Sequence, residues 1–355
     1  MGIFGNKKIK AFGLDISDSS IKVMQLAQTA TGLVPSAFAN VPLADKVIKN
    51  SMIVNEQKLA DNIKVVLASA GKIETNRVVC SIPEAKSFVR NLSLPLMEES
   101  EIDGAVPYEL EQEIPLPIDQ VYLDWQVIKR GRDRLDLLVM ASPKAYVDAL
   151  IESLKLARLT PIAMELESQA TARSLIASAD LQKNILIVDL ATKQTSFILV
   201  EAGVIQYTSS VPLAGRALTE SIARSFNVPL EAAEKLKQGA GLIAQVDGIS
   251  LTQALTPILD GLVEEIRKIL KFFTDRDPAQ PQIDTILLCG GTAKLAGLSD
   301  YLSSKINTAD GAGIEVRLGN PWANTAANPT IAQVEALGFT TVTGLALRGI
   351  TNETY

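Results

Sequence analysis

Apolar and polar positions along the chain follow a pattern typical of an α/β protein. Short β-branched runs such as "RVVCSIP" and "IDTILLCGG" predict buried strands, whereas "QKLADNIKVVLASAG" carries apolar residues at helical spacing and predicts a helix that ends at Gly71. Two apolar runs, residues 11–27 and 185–207, are interrupted by polar residues and then resume. Each of these runs predicts a β-hairpin with an acidic, hydroxyl-rich turn.

The two hairpins resemble each other. In the first hairpin Asp15 precedes Ser17, Asp18, Ser19 and Ser20, and in the second Asp189 precedes Thr192, Gln194, Thr195 and Ser196. Aligning the two aspartates divides the chain into halves of similar length, each continuing with further strands and amphipathic helices. The sequence therefore predicts a duplicated α/β architecture.

Two further segments have patterns of their own. Residues 84–163 follow the order strand, acidic helix, two strands, helix, which predicts a small α+β insertion; Pro115 and Pro117 predict an extended connection within it. The segment "ISLTQALTPILDGLVEEIRKILKFFTD" predicts a long amphipathic helix. Pro257 and Gly261 are expected to break or bend that helix.

Length and composition restrict the classes of function. A chain of 355 residues is long enough for more than one domain. With 40 acidic and 34 basic residues and no basic block, nucleic acid is not an expected partner, and the absence of histidine excludes histidine-based catalysis and histidine-containing metal sites. Cys80 and Cys289 lie in separate apolar runs, so both are expected to pack in the core of a protein from a reducing cytosol.

No membrane-spanning segment is predicted. The chain has no apolar run of 18 residues, and "MGIFGNKKIK" is too short in apolar length for a signal peptide. A frayed N-terminus is the expectation for that segment, with a weak amphipathic tether as the alternative. The ending "LRGITNETY" has no amphipathic membrane helix.

The paired turns suggest a phosphate site. Two such turns facing each other across a cleft would offer backbone N–H groups and hydroxyls to a phosphate chain, and the two carboxylates would hold hydrated Mg²⁺. Either turn alone is equally well explained as an ordinary β-turn.

Two more motifs belong to this hypothesis. In "LLCGGTAKLAGLSDYL" a strand runs into Gly290 and Gly291, which would let a purine or ribose lie against the main chain, although Gly-Gly is also a common turn. In "EAAEKLK", Glu234 and Lys237 share one helix face and would reach a ribose; the alternative is a surface ion pair.

The order of these motifs resembles the actin-like ATPase superfamily, which includes sugar kinases, Hsp70 and the cell-division protein FtsA. Within it, "EIDGAVPYELEQEIPLPIDQVYLDW", "SSVPLAGRALTESIARSFNVPLEAAEKLK" and the ending "TTVTGLALRGI" are similar to the PilM family of type IV pilus assembly proteins. The resemblance covers nearly the whole chain.

This resemblance implies an α/β fold of two duplicated, actin-like (ribonuclease H-like) lobes with an inserted SHS2-type α+β subdomain. The first lobe would comprise residues 1–83, 164–184 and 335–355, and the insert residues 84–163. The second lobe would comprise residues 185–220 and 283–334, with a helical subdomain over residues 221–282.

The resemblance also implies ATP and Mg in the cleft. The expected ATP-binding residues are Asp15, Ser19, Ser20 and Lys22 in the first turn, Asp189, Thr192 and Thr195 in the second, Glu234 and Lys237 at the ribose, and Gly290, Gly291 and Thr292 at the adenosine. Asp15 and Asp189 would hold Mg through water.

The turns depart from the superfamily pattern D-x-G, because Ser17 and Ala191 stand at the glycine positions. Each adds a Cβ where backbone should touch phosphate, at a cost of roughly 1–3 kcal/mol if its φ is unfavourable. We therefore expect nucleotide binding with weak or absent hydrolysis. If the protein is an ATPase, Asp189 is the candidate catalytic residue.

Three functions follow from the resemblance. The first is a cytoplasmic adaptor, peripheral to the inner membrane, that binds the short N-terminal tail of a PilN-like inner-membrane protein and contacts other pilus platform and motor components. The tail of the PilN-like protein would lie in a groove between the insert and the first lobe. Candidate residues for the wall of this groove are Tyr108, Ile114 and Leu116, and ordinary packing is the alternative for all three. The second is an FtsA-like ATP-hydrolysing or polymerising protein. The third, a sugar kinase, would need a catalytic Asp base, for which Asp189 is the one candidate.

Overall fold

The structure is a computed structural model. It describes residues 11–30, 32–43, 47–49, 52–111, 113–246, 248–276, 282–307, 313–325 and 331–351. The N-terminal segment for which a frayed end or a tether is expected lies outside these residues.

The first lobe is built on a five-stranded sheet with the order β10-β6-β1-β2-β3. Its N-terminal elements are β1 (Phe12–Ile16), β2 (Ser20–Thr29), β3 (Gly32–Pro42), β4 (Ile48–Lys49), β5 (Met52–Ile53), α1 (Glu56–Ser69) and β6 (Arg77–Ile82). The side chain of Asn55 caps α1 by accepting from the Lys58 amide at 2.8 Å. Strands β1, β2 and β3 form an antiparallel meander, and β6 joins β1 in parallel.

The insert follows β6. Its elements, and those that lead back to the first lobe, are β7 (Phe88–Pro95), α2 (Glu99–Leu110), β8 (Val121–Arg130), β9 (Arg134–Pro143), α3 (Lys144–Leu156), β10 (Thr160–Leu166) and α4 (Glu167–Leu175). Strands β7, β9 and β8 form an antiparallel three-stranded sheet in that order. Helix α2 covers one face of this sheet, where Ile102, Val106 and Leu110 contact apolar side chains of the strands.

The second lobe repeats the plan of the first. Its elements, with those of the C-terminal segment, are β11 (Asn184–Leu190), β12 (Thr195–Glu201), β13 (Val204–Val211), α5 (Gly215–Phe226), α6 (Leu230–Gly239), β14 (Gln245–Val246), β15 (Ile249–Ser250), α7 (Leu251–Arg276), β16 (Thr285–Cys289), α8 (Leu298–Ile306), β17 (Glu315–Leu318), α9 (Gln333–Ala336) and α10 (Thr340–Thr351). The sheet order is β13-β12-β11-β16-β17.

The two sheets have the same topology. In each, an antiparallel three-stranded meander is extended by two parallel strands, β6 and β10 in the first lobe and β16 and β17 in the second. Strand β11 therefore corresponds to β1, and Asp189 to Asp15. The predicted duplication and the mixed α/β, two-lobe fold are confirmed.

Helices cover both faces of the first sheet. Leu59 and Ile63 of α1 pack with Tyr146 and Leu150 of α3 on one face. Helices α4 and α10 pack on the other, where Leu345 contacts Ala170. Helix α3 therefore belongs to the first-lobe core, although it lies within the segment assigned to the insert from sequence.

Helix α7 runs unbroken through Pro257 and Gly261, so the expected break is absent. Pro257 lies in the second turn, where its missing N–H removes one backbone hydrogen bond. Leu255, Leu259 and Leu262 are buried on the same helix and hold it against the second-lobe core. The apolar stripe outweighs the local penalty.

Cys80 and Cys289 are buried free thiols, as the sequence predicts. None of the helices in the described part of the chain is long and apolar enough to cross a membrane.

Candidate functional site

The first acidic turn joins β1 to β2. Asp15, near the end of β1, is 4% exposed. Its Oδ1 accepts a hydrogen bond from the Ser81 hydroxyl at 2.9 Å and its Oδ2 accepts one from Lys22 Nζ at 3.2 Å. Ser81 lies on β6, the parallel neighbour of β1, so the neighbouring strand holds the Asp15 carboxylate in place. Of the residues expected here, Asp15 and Lys22 bind each other.

The hydroxyl of Ser17 closes this turn. Its Oγ accepts hydrogen bonds from the amides of Ser19 at 3.4 Å and Ser20 at 3.1 Å, and donates to the Ser20 carbonyl at 3.0 Å. Neither Ser17 nor Ala191 has a positive φ; outside glycine, only Arg158, Ala202 and Asn227 do so among the described residues. The strain considered for the two glycine replacements is therefore absent, because this turn accepts an L-residue at its normal φ.

The second turn joins β11 to β12. Burial raises the pKa of the Asp189 carboxyl to about 6; the Lys22 charge opposes this and the Asp15 charge adds to it. The carbonyl of Thr192 accepts from the Arg216 amide at 2.8 Å. Thr195 is fully buried and its hydroxyl donates to the Leu213 carbonyl. That hydroxyl serves the strand end, whereas Thr192 lies exposed in the turn.

The two turns meet. Lys193 Nζ, from the second turn, donates to Asp18 Oδ2, from the first, at 2.8 Å. Asp15 and Lys22 also act on the pKa of Asp189 through their charges, which requires all three groups to lie in one region. The structure thus brings together the two turns that the sequence singles out.

The glycine turn after β16 lies beside the second turn. A Cβ at Gly290, which has φ +84°, would lie 2.3 Å from Asp189 Oδ1, so a side chain cannot replace glycine there. A Cβ at Gly291 would meet nothing within 4 Å and would project into open space. Thr292 Oγ1 donates to the Ala191 carbonyl at 3.2 Å and connects the two segments.

Glu234, which is half-buried, and Lys237, which is buried, form a hydrogen-bonded group on α6. Lys237 Nζ donates to Glu234 Oε2 at 2.7 Å, to Thr219 Oγ1 at 2.8 Å and to the Gly215 carbonyl at 3.0 Å. Burial acts to raise the pKa of Glu234, but hydrogen bonds from Lys237 and Thr219 outweigh it and lower that pKa. The sequence predicted either a ribose contact or a surface ion pair for these two residues. Neither interpretation included Thr219 of α5, which hydrogen-bonds to both.

Sequence reasoning missed two glutamates close to the turns. Glu167 begins α4, and its Oε2 accepts from the Glu84 amide at 3.2 Å. Burial raises the pKa of Glu167, and the charges of Asp15 and Asp189 act in the same direction. The carboxyl oxygens of Glu84 are buried without a hydrogen-bond partner of good geometry among the described residues. No sequence motif marks either glutamate.

Sequence reasoning also missed Gly215, the first residue of α5. A Cβ there would lie 2.3 Å from Thr292 Oγ1 and 3.5 Å from Lys237 Nζ. Glycine at this position lets α5, α6 and the glycine turn converge. The available signal was a lone glycine after a strand, which is too common to be informative.

A second feature is a cavity of about 750 Å³ between the insert, the first lobe and the β12–β13 connection. The insert contributes the sheet face that α2 leaves uncovered. The first lobe contributes β10 and α4. Its lining includes Val89, Asp124, Gln126, Leu138, Met140, Met164, Leu166, Gln169, Ile176, Leu181 and Ile205. We call this cavity the interlobe groove.

A buried ion cluster borders the groove. Glu165, fully buried, accepts hydrogen bonds from Arg173 at 2.5 and 2.9 Å and from Arg348 at 2.5 Å. All three side chains line the groove. Two guanidinium groups on one carboxylate leave a net positive charge there.

The candidate wall residues Tyr108, Ile114 and Leu116 do not line the interlobe groove. Tyr108 is 77% exposed on α2. Ile114 is buried in a small cluster with Val121 and Ala141, and Leu116 packs against that cluster. Packing within the insert accounts for Ile114 and Leu116, as the alternative interpretation states.

No group of three or more Cys, Asp and Glu side chains within the described ranges has the geometry of a metal site. Two carboxylates that hold Mg through water would not form such a group. The donor set at Asp15 and Asp189 suits a hydrated divalent cation rather than a protein cage, and the open space beside Gly291 suits a flat group against the main chain.

Comparison with solved structures identifies the fold. The "PilM-PilN type IV pilus biogenesis complex" matches with a TM-score of 0.82 and 28% identity over 97% of this chain and 99% of that chain. MreB5 of Spiroplasma citri bound to AMPPNP matches with a TM-score of 0.56 and 12% identity over 96% of both chains. EutJ of Carboxydothermus hydrogenoformans matches with a TM-score of 0.57 and 17% identity, covering 95% of this chain and 89% of that one. The last two likenesses concern the fold alone.

Comparison with curated sequences finds cell division protein FtsA. The protein of Neisseria meningitidis is 20% identical over 334 residues, 84% of this chain and 79% of that protein. The protein of Pseudomonas aeruginosa is 24% identical over 176 residues, 44% of this chain and 41% of that protein, so this match spans less than half of its length. The family model described as type IV pilus assembly protein PilM matches residues 13–350, and the chain therefore belongs to the PilM family of actin-like pilus assembly proteins.

Proposed function

We propose that this protein is a cytoplasmic adaptor of the type IV pilus assembly platform that binds the short N-terminal tail of a PilN-like inner-membrane protein in the interlobe groove. The groove is the observation that carries this proposal, since it opens between the insert and the first lobe, where the tail is expected. The similar PilM-PilN complex supports the choice of partner. Through this partner the adaptor would be peripheral to the inner membrane and in reach of other platform and motor components.

The chemistry of the groove suits an extended peptide. Leu138, Met140 and Leu166 offer apolar contacts, while Gln126 and Gln169 offer amides to the main-chain groups of a peptide. A cavity of about 750 Å³ is within the size range of pre-formed ligand sites. The net positive charge of the Arg173, Glu165 and Arg348 cluster would favour a peptide that brings a carboxylate or a carbonyl-rich turn.

The cleft between the acidic turns is proposed to hold Mg-ATP as a structural ligand. Asp15 and Asp189 would bind Mg through water, Lys22, Ser19, Ser20 and Thr192 would border the phosphates, Glu234 and Lys237 the ribose, and Gly290, Gly291 and Thr292 the adenosine. Mg²⁺, when bound with the nucleotide, supplies the positive charge that links the phosphates to the carboxylates of both turns. Because it would contact both lobes, it would stabilise the folded protein by mass action.

A peptide-binding experiment tests the adaptor. A fluorescent synthetic peptide with the N-terminal tail of the PilN-like protein from the same genome is titrated with the full chain. We expect Gln126→Trp, which fills the groove, and Leu181→Glu, which places a charge at its 43%-exposed leucine, to weaken binding at least about tenfold.

Tyr108→Glu is the matched control, because Tyr108 is exposed on α2, which covers the face of the insert sheet opposite the groove. It should bind the peptide like the natural chain. Absence of peptide binding by the natural chain, with and without Mg-ATP, would contradict the adaptor function. Equal loss in the groove variants and the control would place the tail elsewhere.

The alternative is an FtsA-like ATP-hydrolysing or polymerising protein. The observation that favours it is the 20% identity to FtsA of Neisseria meningitidis. Steady phosphate release above background that is lost in Asp189→Ala would favour it. The closed first turn argues for slow or absent turnover, because the Ser17 hydroxyl occupies two of its amides.

A further inference from the structure

Two backbone N–H groups of the first acidic turn are hydrogen-bonded to the Ser17 side chain of the same turn. Ser17 Oγ accepts the amide hydrogens of Ser19 and Ser20 and donates its own hydrogen to the Ser20 carbonyl. A hydroxyl oxygen has two lone pairs and one hydrogen, so the Ser17 hydroxyl is fully used.

Successive backbone N–H groups in a tight turn are the donors that bind phosphate oxygens. A phosphate that entered this turn would need the amide hydrogens of Ser19 and Ser20. It would have to displace the Ser17 hydroxyl, which lies 3.1 and 3.4 Å from those nitrogens. The neutral hydroxyl and the anionic oxygen are therefore competitors for the same two donors.

The cations of the two turns are engaged as well. Lys22 is bound to Asp15 at 3.2 Å and Lys193 to Asp18 at 2.8 Å. Each of these lysines thus neutralises a carboxylate of the first turn. The backbone N–H groups of Ser19 and Ser20 and the two lysine charges therefore all have partners within the protein.

We propose that the Ser17 hydroxyl is an internal competitor of the nucleotide phosphate chain and sets a low affinity of this cleft for ATP. This inference rests on the proposed nucleotide cleft, and it concerns the hydroxyl of Ser17 rather than its Cβ. The normal φ of Ser17 removes backbone strain as the explanation, and the two variants below separate the hydroxyl from the Cβ. Because of this competition, ATP occupies the cleft only when its concentration is high.

Two variants separate the hydroxyl from the Cβ. Ser17→Ala keeps the Cβ and removes the acceptor, whereas Ser17→Gly removes both. Affinities for Mg-ATP and for AMP are measured by isothermal titration calorimetry on the full-length chain. We expect both variants to bind Mg-ATP about tenfold more tightly than the natural chain, equivalent to about 1.4 kcal/mol. Affinity for AMP should change less than twofold, because AMP lacks the phosphate chain.

Ser93→Ala is the matched control. Its hydroxyl donates to Asp136 within the insert sheet, far from the turn in the fold, so the same chemical change is made outside the cleft. A gain in Ser17→Gly but not in Ser17→Ala would show that the Cβ is the obstacle and overturn the proposal. No gain in either variant, or an equal gain for AMP, would also overturn it.

Amide hydrogen exchange gives a readout that needs no nucleotide. The Ser19 and Ser20 amides should exchange at least about fivefold faster in Ser17→Ala than in the natural chain, and those of the second turn should not change. Unchanged exchange at Ser19 and Ser20 would overturn the proposal.

The failures of the two proposals are distinguishable. If Ser17→Ala binds Mg-ATP and the natural chain does not, the competitor role holds and the natural chain has lost the proposed nucleotide. If the natural chain binds and the variants gain nothing, the cleft stands and the competitor role fails. If no variant binds Mg-ATP, both fail, while the peptide titration decides the adaptor independently.

Discussion

Lys193 Nζ lies 2.8 Å from Asp18 Oδ2, although 175 positions separate the two residues in the chain. Asp18 belongs to the first acidic turn and Lys193 to the second. The bond therefore joins the turns of two lobes that have the same sheet topology. It also neutralises a carboxylate in the region where phosphates are proposed to bind.

Replacing Lys193 with alanine should weaken Mg-ATP binding. The change removes the Lys193 partner of Asp18, and the uncompensated carboxylate would repel the phosphates proposed to bind in the cleft. We expect about a threefold to tenfold loss of affinity at low ionic strength that shrinks at high salt, because added ions screen the repulsion. Titration calorimetry at two salt concentrations measures it.

The thermal stability of Lys193→Ala should change little, since its side chain is 43% exposed and exposed ion pairs contribute about 0–1 kcal/mol. Lys235→Ala is the control, because Lys235 pairs with Glu231 on the surface of α6. An unchanged affinity in Lys193→Ala, or an equal loss in Lys235→Ala, would contradict the role assigned to the bond.

The duplication and the cleft were predictable because both depend on local signals. An aspartate that ends an apolar run, followed by hydroxyl residues, marks a polar turn in either lobe. Asp15 and Asp189 came together because equivalent strands of duplicated sheets end at equivalent places. The repeat therefore carried information about a distance across the fold.

Contacts between distant segments that no repeat or motif marks were not predictable. Glu84 and Glu167 carry no motif, and they lie close together because β6 and β10 pair in parallel and end at the same sheet edge, just before these two residues. The hydrogen bonds that the Ser17 hydroxyl makes within the first turn were not predictable, because the D-x-G pattern marks this position only as a glycine site. Tyr108, Ile114 and Leu116 do not line the interlobe groove, because the face of the insert sheet that borders the groove is the one opposite α2; their role as wall residues of a tail site stays a prediction.

Glu84 should make stability dependent on pH. Burial raises the pKa of its carboxyl above the ordinary value of 4.5, although the hydroxyls of Thr208 and Ser168 act in the opposite direction. A carboxyl with a raised folded-state pKa binds more protons folded than unfolded. Its contribution is fully present below pH 4.5 and is lost as the pH rises through the folded-state pKa.

Glu84→Gln removes this titration. We expect the variant to be about 1–3 kcal/mol more stable than the natural chain at pH 8, with the difference disappearing towards pH 4.5. Urea unfolding at several pH values without nucleotide measures it. Glu109→Gln, at an exposed position on α2, should show no such pH-dependent difference. A constant difference between Glu84→Gln and the natural chain would contradict the prediction.

Gly344 sets the approach of α10 to α4. A Cβ at this position would lie 1.8 Å from the Ala170 carbonyl oxygen, and backbone cannot move away cheaply. Gly344→Ala should therefore destabilise the protein by about 2–4 kcal/mol, in the range of severe overpacking. The midpoint of urea unfolding measures it.

Gly104→Ala provides an opposite-signed control. Gly104 lies inside α2, and a Cβ there would meet nothing within 4 Å. Alanine in a helix interior is more favourable than glycine, so this variant should gain about 0.5–1 kcal/mol. If both alanine variants shift the midpoint in the same direction, close packing of α10 on α4 does not determine the effect at Gly344.

Glu165 should be more important for stability than any surface ion pair. Its fully buried carboxylate is the shared partner of Arg173 and Arg348, which α4 and α10 supply. Glu165→Gln leaves two guanidinium groups without their anion, and breaking a buried ion pair from one side costs about 3–5 kcal/mol. Asp275→Asn, which removes the exposed pair with Lys271, should cost less than about 0.5 kcal/mol.

Because Glu165, Arg173 and Arg348 border the interlobe groove, the double variant Glu165→Gln, Arg348→Gln should recover part of the stability and still bind the tail peptide less tightly. Recovery of both properties together would mean that the cluster acts on the peptide through folding alone.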